Sequence, residues 1–239
     1  METLALQARE LFGITLDVRQ LNALRTFERE LLAWNAHTNL TAIRAPAEVR
    51  LKHFLDAISC APVMKDARCQ RLVDVGTGAG FPGLVLKIIF PTIDLTLVDS
   101  IGKKTAFCQH IVEVLGLEGV TVITARAEEL GQRSEHRHHY DWAVARAVAR
   151  LPVLLEYCLP LVKTGGKMLA QKGESAPAEA QAADHAAAIL GASLEKLIPV
   201  ELPGVSDLRY LVIYRKHAPT PRAYPRRAGV PAKSPLTRT

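Results

Sequence analysis

The chain lacks an apolar run long enough to span a bilayer. Its most apolar stretch, 84–90, is broken by Lys87, and no 18 consecutive apolar residues occur, so no transmembrane helix is expected. The first ten residues, Met-Glu-Thr-Leu-Ala-Leu-Gln-Ala-Arg-Glu, hold neither a basic cluster nor a long apolar segment, which speaks against a secretory signal. There is no Cys-x-x-Cys pair. Cys60, Cys69, Cys108 and Cys158 are widely spaced and read as free thiols in a reducing, cytoplasmic setting. Acid is missing too: from Lys216 onward there is no Asp or Glu.

What remains is enough for one sizeable α/β domain with additions, since the 239 residues are 49% hydrophobic. The net charge of +6 is carried by one segment. Lys216, Arg222, Arg226, Arg227, Lys233 and Arg238 are six of the 30 Lys and Arg, and the other 24 match the 24 Asp and Glu. The same segment holds Pro219, Pro221, Pro225, Pro231 and Pro235, so an extended basic tail over 216–239 is expected. Such a tail suits either an anionic partner, nucleic acid first, or plain solvation.

Residues 1–60 read as a helical extension. Leu21, Leu24, Phe27, Leu31 and Trp34 recur at helical spacing, 35–41 breaks the pattern, and Val49, Phe54, Leu55 and Ile58 suggest a further helix. From residue 70 strands and helices alternate. Strands are expected at 72–75, 95–98, 120–123, 142–145 and 167–171, with helices at 82–90, 103–115, 151–161 and 176–190. Thr164-Gly165-Gly166 reads as a turn, and 194–200 with 210–214 as a last pair of strands. The expected fold is a three-layer, Rossmann-like αβα domain over 61–215, its mostly parallel sheet ending in an antiparallel hairpin. Ligands in such folds sit at the carboxyl ends of the strands.

The densest signal lies there. Residues 72–83 read Leu-Val-Asp-Val-Gly-Thr-Gly-Ala-Gly-Phe-Pro-Gly: an apolar strand, a glycine-rich turn and a helix start. The register Gly78-x-Gly80-x-x-Gly83 fits the dinucleotide fingerprint poorly, because it begins late and Pro82 suits a helix already under way. The better register is Asp74-x-Gly76-x-Gly78-x-Gly80, a pattern of S-adenosylmethionine (AdoMet) enzymes. There the glycines would bring backbone N–H groups to the methionine end, with Asp74 placed to orient it. Asp99 ends the second strand and either bonds a ribose or caps the next helix, with Ser100 beside it. Ala127-Glu128 follows the third strand, where it meets an adenine edge or simply opens a helix. Arg146 follows the fourth strand and needs solvent, a ligand or an ion pair with Asp74 or Asp141.

Two motifs are absent after that fourth strand. An Asn/Asp-Pro-Pro-aromatic segment, used on exocyclic amines, is not there, nor is a Pro-Cys nucleophile. Arg146-Ala147-Val148 instead fits attack by a ring nitrogen with a free lone pair, which needs positioning and no base. No catalytic base is therefore assigned, and Arg146 is the candidate. Arg150, Lys172, Arg222, Arg226 and Arg227 are candidates for RNA phosphates. His136-Arg137-His138-His139 lacks the carboxylate or cysteine partners of a metal site, so no metal is expected and a polar loop is the reading.

Several segments together resemble the RsmG (GidB) family. They are Trp34-Asn35, Asn39-Leu40-Thr41, His53-Phe54-Leu55-Asp56-Ala57-Ile58, residues 73–83, Val98-Asp99-Ser100 with Gly102-Lys103-Lys104, Ala145-Arg146-Ala147 and Lys172-Gly173. The resemblance implies a class I AdoMet-dependent methyltransferase that acts on guanine N7 in the decoding region of 16S rRNA, presented as RNA, as the 30S subunit or as its precursor. It also implies AdoMet contacts at Gly76, Phe81, Ala127-Glu128 and Arg146, with Asp99 facing the ribose. Asn39, His53 and Asp56 carry the family pattern without an assigned role. A methyltransferase for a small molecule or for another RNA is the alternative, and a monomer is the default.

Overall fold

A computed structural model describes residues 1–65 and 69–237; Arg238, counted above in the basic tail, lies outside the described residues. The chain opens with α1 (Glu2–Phe12), which ends at Gly13 in the left-handed conformation, φ 65°. Next comes α2 (Val18–Thr38), opened by a capping box in which the Gln20 N–H donates to Asp17 Oδ1 and the Asp17 N–H to Gln20 Oε1. Gln20 Nε2 then reaches the carbonyls of Ile88 and Ile89. The break expected at residue 35 falls later, at Asn39, because Asn35 stays helical and turns its side chain on the next segment. Asn35 Oδ1 accepts from the N–H groups of Leu40 and Thr41, and its Nδ2 donates to the Thr41 carbonyl.

After this, α3 (Pro46–Val49) passes through a π-helical turn (Arg50–Leu55) into α4 (Asp56–Ile58), followed by α5 (Ala61–Lys65). The alternating part is β1 (Arg71–Val75), α6 (Gly83–Ile89), β2 (Asp94–Asp99), α7 (Gly102–Leu115), β3 (Val120–Thr124), α8 (Ala127–Leu130), β4 (Tyr140–Arg146), α9 (Leu151–Cys158), β5 (Val162–Lys172), α10 (Ala176–Ile189), β6 (Ala192–Val200) and β7 (Arg209–Lys216). The seven strands lie in the order β3-β2-β1-β4-β5-β7-β6. The first five are parallel, and β7 runs antiparallel between β5 and β6. The expected turn at Thr164-Gly165-Gly166 lies inside β5. Tyr140 pairs with Val162 and Trp142 with Lys167, so the glycines form a bulge within the strand. A Cβ on Gly166 would stand 2.6 Å from the Asp141 carbonyl, which explains the glycine.

Alternation along the strands sorts two cores. Leu72, Leu97, Val144 and Ile213 face one side, where they join Leu84 of α6 and Phe107 of α7. Leu24, Phe27 and Leu31 of α2 and Phe54 and Ile58 belong to that same core, so the helical extension packs as a continuation of one layer. Val73, Ala143, Met168 and Tyr214 face the other side, against α9 and α10. Each Val, Leu, Ile, Phe or Met side chain among them, taken fully from water, contributes about 1.5–3 kcal/mol. Among the described residues no helix is long and apolar enough to cross a membrane, and Cys60, Cys69, Cys108 and Cys158 are free thiols.

The basic tail is no free arm. It runs back over α8 and α9 in turns and ends its described course past a short helix, α11 (Val230–Lys233), which tolerates Pro231 because it lies in the first turn. Arg137 donates to the carbonyls of Thr220, Pro221 and Tyr224. Gln132 Nε2 donates to the Pro225 carbonyl. Arg226 closes on Glu156 of α9, with Nε 2.9 Å from Oε1 and Nη2 2.6 Å from Oε2, and its own N–H adds a bond to Oε1. Glu156 has no exposed surface, so Arg226 and the Arg226 N–H are what let a carboxylate sit there. Placed by sequence before RNA phosphates, Arg226 is thus engaged inside the protein. Arg226→Ala should leave that carboxylate without its cation, held by the backbone N–H alone, and lower unfolding free energy by about 3–5 kcal/mol; urea unfolding monitored by circular dichroism checks this. A loss below about 1 kcal/mol would show that the pair is not a structural anchor.

Candidate active site

The sheet reverses strand order between β1 and β4, and at their carboxyl ends the glycine turn meets Arg146. Gly76, Gly78 and Gly80 have φ of 70°, 60° and 89°, values other residues rarely adopt. Their N–H groups, expected to face a ligand, are all occupied internally. Gly76 donates to the Val98 carbonyl at 2.8 Å, Gly78 to Asp99 Oδ2 at 3.0 Å and Gly80 to the Thr77 carbonyl at 2.9 Å. Gly76 and Gly80 act instead through shape. A Cβ on Gly76 would stand 2.5 Å from Val148, and one on Gly80 2.3 Å from Leu84.

Two carboxylates fix this turn. Asp74 is fully buried beneath it, and its Oδ2 accepts from Thr77 Oγ1 and from the Gly83 N–H, both at 2.8 Å. Among the described residues Oδ1 has no partner, and burial pushes the Asp74 pKa up to about 6. Asp74 therefore supports the turn from below, through Thr77 and Gly83. Asp99 lines a cleft. Its Oδ2 takes the Gly78 N–H and its Oδ1 the Ile101 N–H, so it braces the turn and the approach to α7 together.

Three clefts meet here. The first, about 230 Å³, lies between Gly76, Asp99, Ser100, Ala127, Glu128 and Tyr157. The second, about 330 Å³, lies between the glycine turn, His53, Phe81 and Arg146. The third, about 180 Å³, lies between Arg146, Gln171, Lys172, Ser175 and Arg209. Ala147 borders all three and holds φ 56°, a strained value for a residue with a Cβ.

Arg146 finds neither Asp74 nor Asp141 as its partner. Its Nη1 lies 2.7 Å from Asp56 Oδ2, and its Nη2 lies 3.1 Å from His53 Nδ1. The guanidinium stands over the Phe81 ring, 5.1 Å from its centre, and His53 stacks on the same ring at 4.7 Å. His53 Nε2 meets Thr41 Oγ1 at 2.9 Å. A guanidinium only donates, so His53 Nδ1 must accept and the proton sits on Nε2, toward Thr41. Burial, then the charges of Arg146 and Arg209, hold the His53 pKa down at about 3.

Sequence reasoning left Asp56 and His53 without a role; an acid within the apolar run 54–58 was the available signal for a buried pair. Arg209, which reaches Asp56 Oδ1 at 3.5 Å, gave no local signal. Lys172, a candidate for phosphate, lies 2.8 Å from Glu179 and donates to the Ala149 carbonyl. Arg150, Arg222 and Arg227 are exposed, and the tail that carries the last two lies along α8 and α9.

Because the native pKa of His53 lies below its ordinary 6.5, the unfolded chain takes up that proton first on acidification. Its contribution to stability is complete above pH 6.5 and is lost as pH falls toward 3. Asp74, raised above its ordinary 3.8, acts in the opposite sense between 3.8 and 6. His53→Gln keeps the bonding capacity without the titration. Urea midpoints for this variant should fall less steeply than those of the wild type below pH 6.5, and parallel curves would contradict the assignment.

Comparison with known proteins matches residues 20–202 to the family model for rRNA small subunit methyltransferase G. The chain is 51% identical over 225 residues to the Ribosomal RNA small subunit methyltransferase G of Roseiflexus castenholzii, covering 94% of this chain and 95% of the relative. It is 45% identical to the Acetivibrio thermocellus protein of the same name, covering 95% and 93%. Among solved structures, a point mutant of the 16S rRNA (adenine(1408)-N(1))-methyltransferase from Catenulisporales acidiphilia aligns at TM-score 0.53 and 15% identity, over 69% of this chain and 93% of that one. M. jannaschii TYW2 in complex with AdoMet aligns at TM-score 0.51 and 15% identity, over 67% and 76%. At these identities the solved structures establish the shared fold alone.

Proposed function

Because this chain belongs to the rRNA small subunit methyltransferase G (GidB) family, we propose that it transfers a methyl group from AdoMet to N7 of a guanosine in the decoding region of small-subunit (16S) rRNA. AdoMet supplies an electrophilic sulfonium methyl group. The residues present fit it: Gly76 leaves no Cβ against Val148, Asp99 lines the first cleft as a hydrogen-bond acceptor, and the second cleft joins it at Gly76. Asp99, Ser100 and the Ala127-Glu128 segment would hold the nucleoside part, with Gly76 and Phe81 bordering the methionine part.

One observation carries the chemistry. Among the described residues lining the second cleft, no side chain is poised as a general base. His53 has Nδ1 committed to Arg146 and its proton toward Thr41, while Asp56 is paired with Arg146 and Arg209. A guanine N7 lone pair is already nucleophilic and loses no proton on methylation, so this cleft has only to align the reactants and exclude water. Arg146 and Phe81 form its floor, and Arg150, Arg222 and Arg227 are exposed cations offered to RNA phosphates.

Incubation with methyl-labelled AdoMet and unmodified 30S subunits, followed by mapping of the label, tests the reading. Label at a guanine N7 of 16S rRNA is the expected result; label on another base, or none, overturns it. Arg146→Lys keeps the charge but loses the two-pronged contact with Asp56 and His53. Its kcat/KM on 30S subunits should drop roughly ten- to a hundredfold, the scale of one charge-assisted hydrogen bond.

A further inference from the structure

The first cleft has a wall that the catalytic reading leaves unexplained. Glu128 lines it and is only 5% exposed, yet among the described residues its carboxylate has a single partner, the Gly229 N–H, 2.9 Å from Oε1. That donor comes from the basic tail, 101 residues away in sequence. Gly229 has φ 82°, so the turn that presents this N–H is one that glycine alone adopts without strain. The same tail grips both elements of the wall. Pro225 packs on Gly131, just past α8, so closely that a Cβ there would stand 2.8 Å from the proline ring. Arg226 holds Glu156 of α9, and the next residue, Tyr157, lines the cleft beside Glu128.

From these contacts we infer that residues 217–233 form a strap that positions Glu128 in the cofactor cleft, so that the tail acts on AdoMet binding and not only on RNA. This rests on the AdoMet reading of the site. The strap acts through orientation. A glutamate side chain has free rotamers, and a carboxylate held at one oxygen loses them. With Oε1 fixed by Gly229, Oε2 is left as an acceptor for a donor group on the bound ligand, for which the exocyclic amine of an adenine has the right chemistry. Without the strap the carboxylate can swing toward solvent, and the ligand must then bear the cost of ordering it. Glu128 and Gly229 are positioning residues here, since neither meets the reacting atoms.

Deletion of residues 229–239 removes the donor to Glu128 and keeps the Arg226–Glu156 pair. The measurements are AdoMet affinity by calorimetry without RNA, KM for AdoMet and for 30S subunits, kcat, and the Tm of the unliganded protein. The expected result is a Kd and KM for AdoMet raised roughly five- to tenfold, the value of one hydrogen bond, with kcat close to wild type and a folded protein whose Tm falls with the loss of α11 and its buried Pro231. A second variant, Arg222→Glu with Arg227→Glu, reverses exposed charge and keeps every strap contact. It should raise KM for 30S subunits while AdoMet affinity stays at the wild-type value.

Unchanged AdoMet affinity in the deletion, with or without weaker 30S binding, overturns the strap's role. So does weaker AdoMet binding by the charge-reversed variant, because general electrostatics and not the Gly229 contact would then be responsible. If the deletion fails to fold, the tail is a stability element first, and the inference falls. A wild-type chain that does not bind AdoMet overturns the reading of the site itself, whereas a wild type that binds and a deletion that binds equally well overturn the strap alone.

Discussion

Arg146 is the cation on which the working edge of the sheet depends. It ends β4, yet its partners Asp56 and His53 belong to the helical extension, and the Lys52 carbonyl adds a third contact from the same segment. Asp56 is 3% exposed at its side chain, and this cation and Arg209 from β7 are its charged partners there. Gln171 of β5 donates to the Asp56 carbonyl as well. Three strands thus converge on one residue of the extension. The helical extension is thereby tied to the sheet by charge as well as by apolar packing, and Phe81 is held flat between the Arg146 guanidinium, His53 and Phe27.

This arrangement explains why a site for methyl transfer contains so many titratable groups and so little free basicity. Each group is matched to another: a guanidinium with a carboxylate, an imidazole with both a guanidinium and a hydroxyl, Asp99 with two backbone N–H groups. Of the buried polar atoms without a partner among the described residues, Asp74 Oδ1 lies below the turn, where burial raises the Asp74 pKa, and Gln171 Oε1 and Arg209 Nε belong to side chains at the third cleft. The titratable groups of the site are thus largely committed to one another, which suits a reaction governed by alignment.

The local features were readable in the sequence because they are periodic or conformational. Strand and helix positions follow apolar spacing, and the glycine turn follows from the need for positive φ. Contacts between residues far apart in the chain were not readable. Arg146 and Asp56 are 90 residues apart and Arg226 and Glu156 are 70 apart, and nothing in the composition near either end names the other. The tail illustrates the general difficulty: a run of cations without acids looks unpaired in sequence, although Arg226 meets Glu156 of α9 and the Gly229 N–H meets Glu128 of α8. The glycine N–H groups mislead in the same way. Sequence shows that a backbone can approach a ligand, but which carbonyl or carboxylate already occupies its donors is a tertiary fact.

The strand order has a consequence for synthesis. β6 leaves the ribosome before β7, but its sole neighbour in the sheet is β7, inserted between it and β5. During translation β6 can therefore find no place, and β5 keeps an open edge, until Arg209–Lys216 has emerged. Residues 1–65 and the first five strands can gather while the chain is still tethered, whereas Arg209 reaches Asp56 only at that final closure. The charge cluster at the working edge is completed by the last strand to arrive, so a nascent chain cannot hold a finished site.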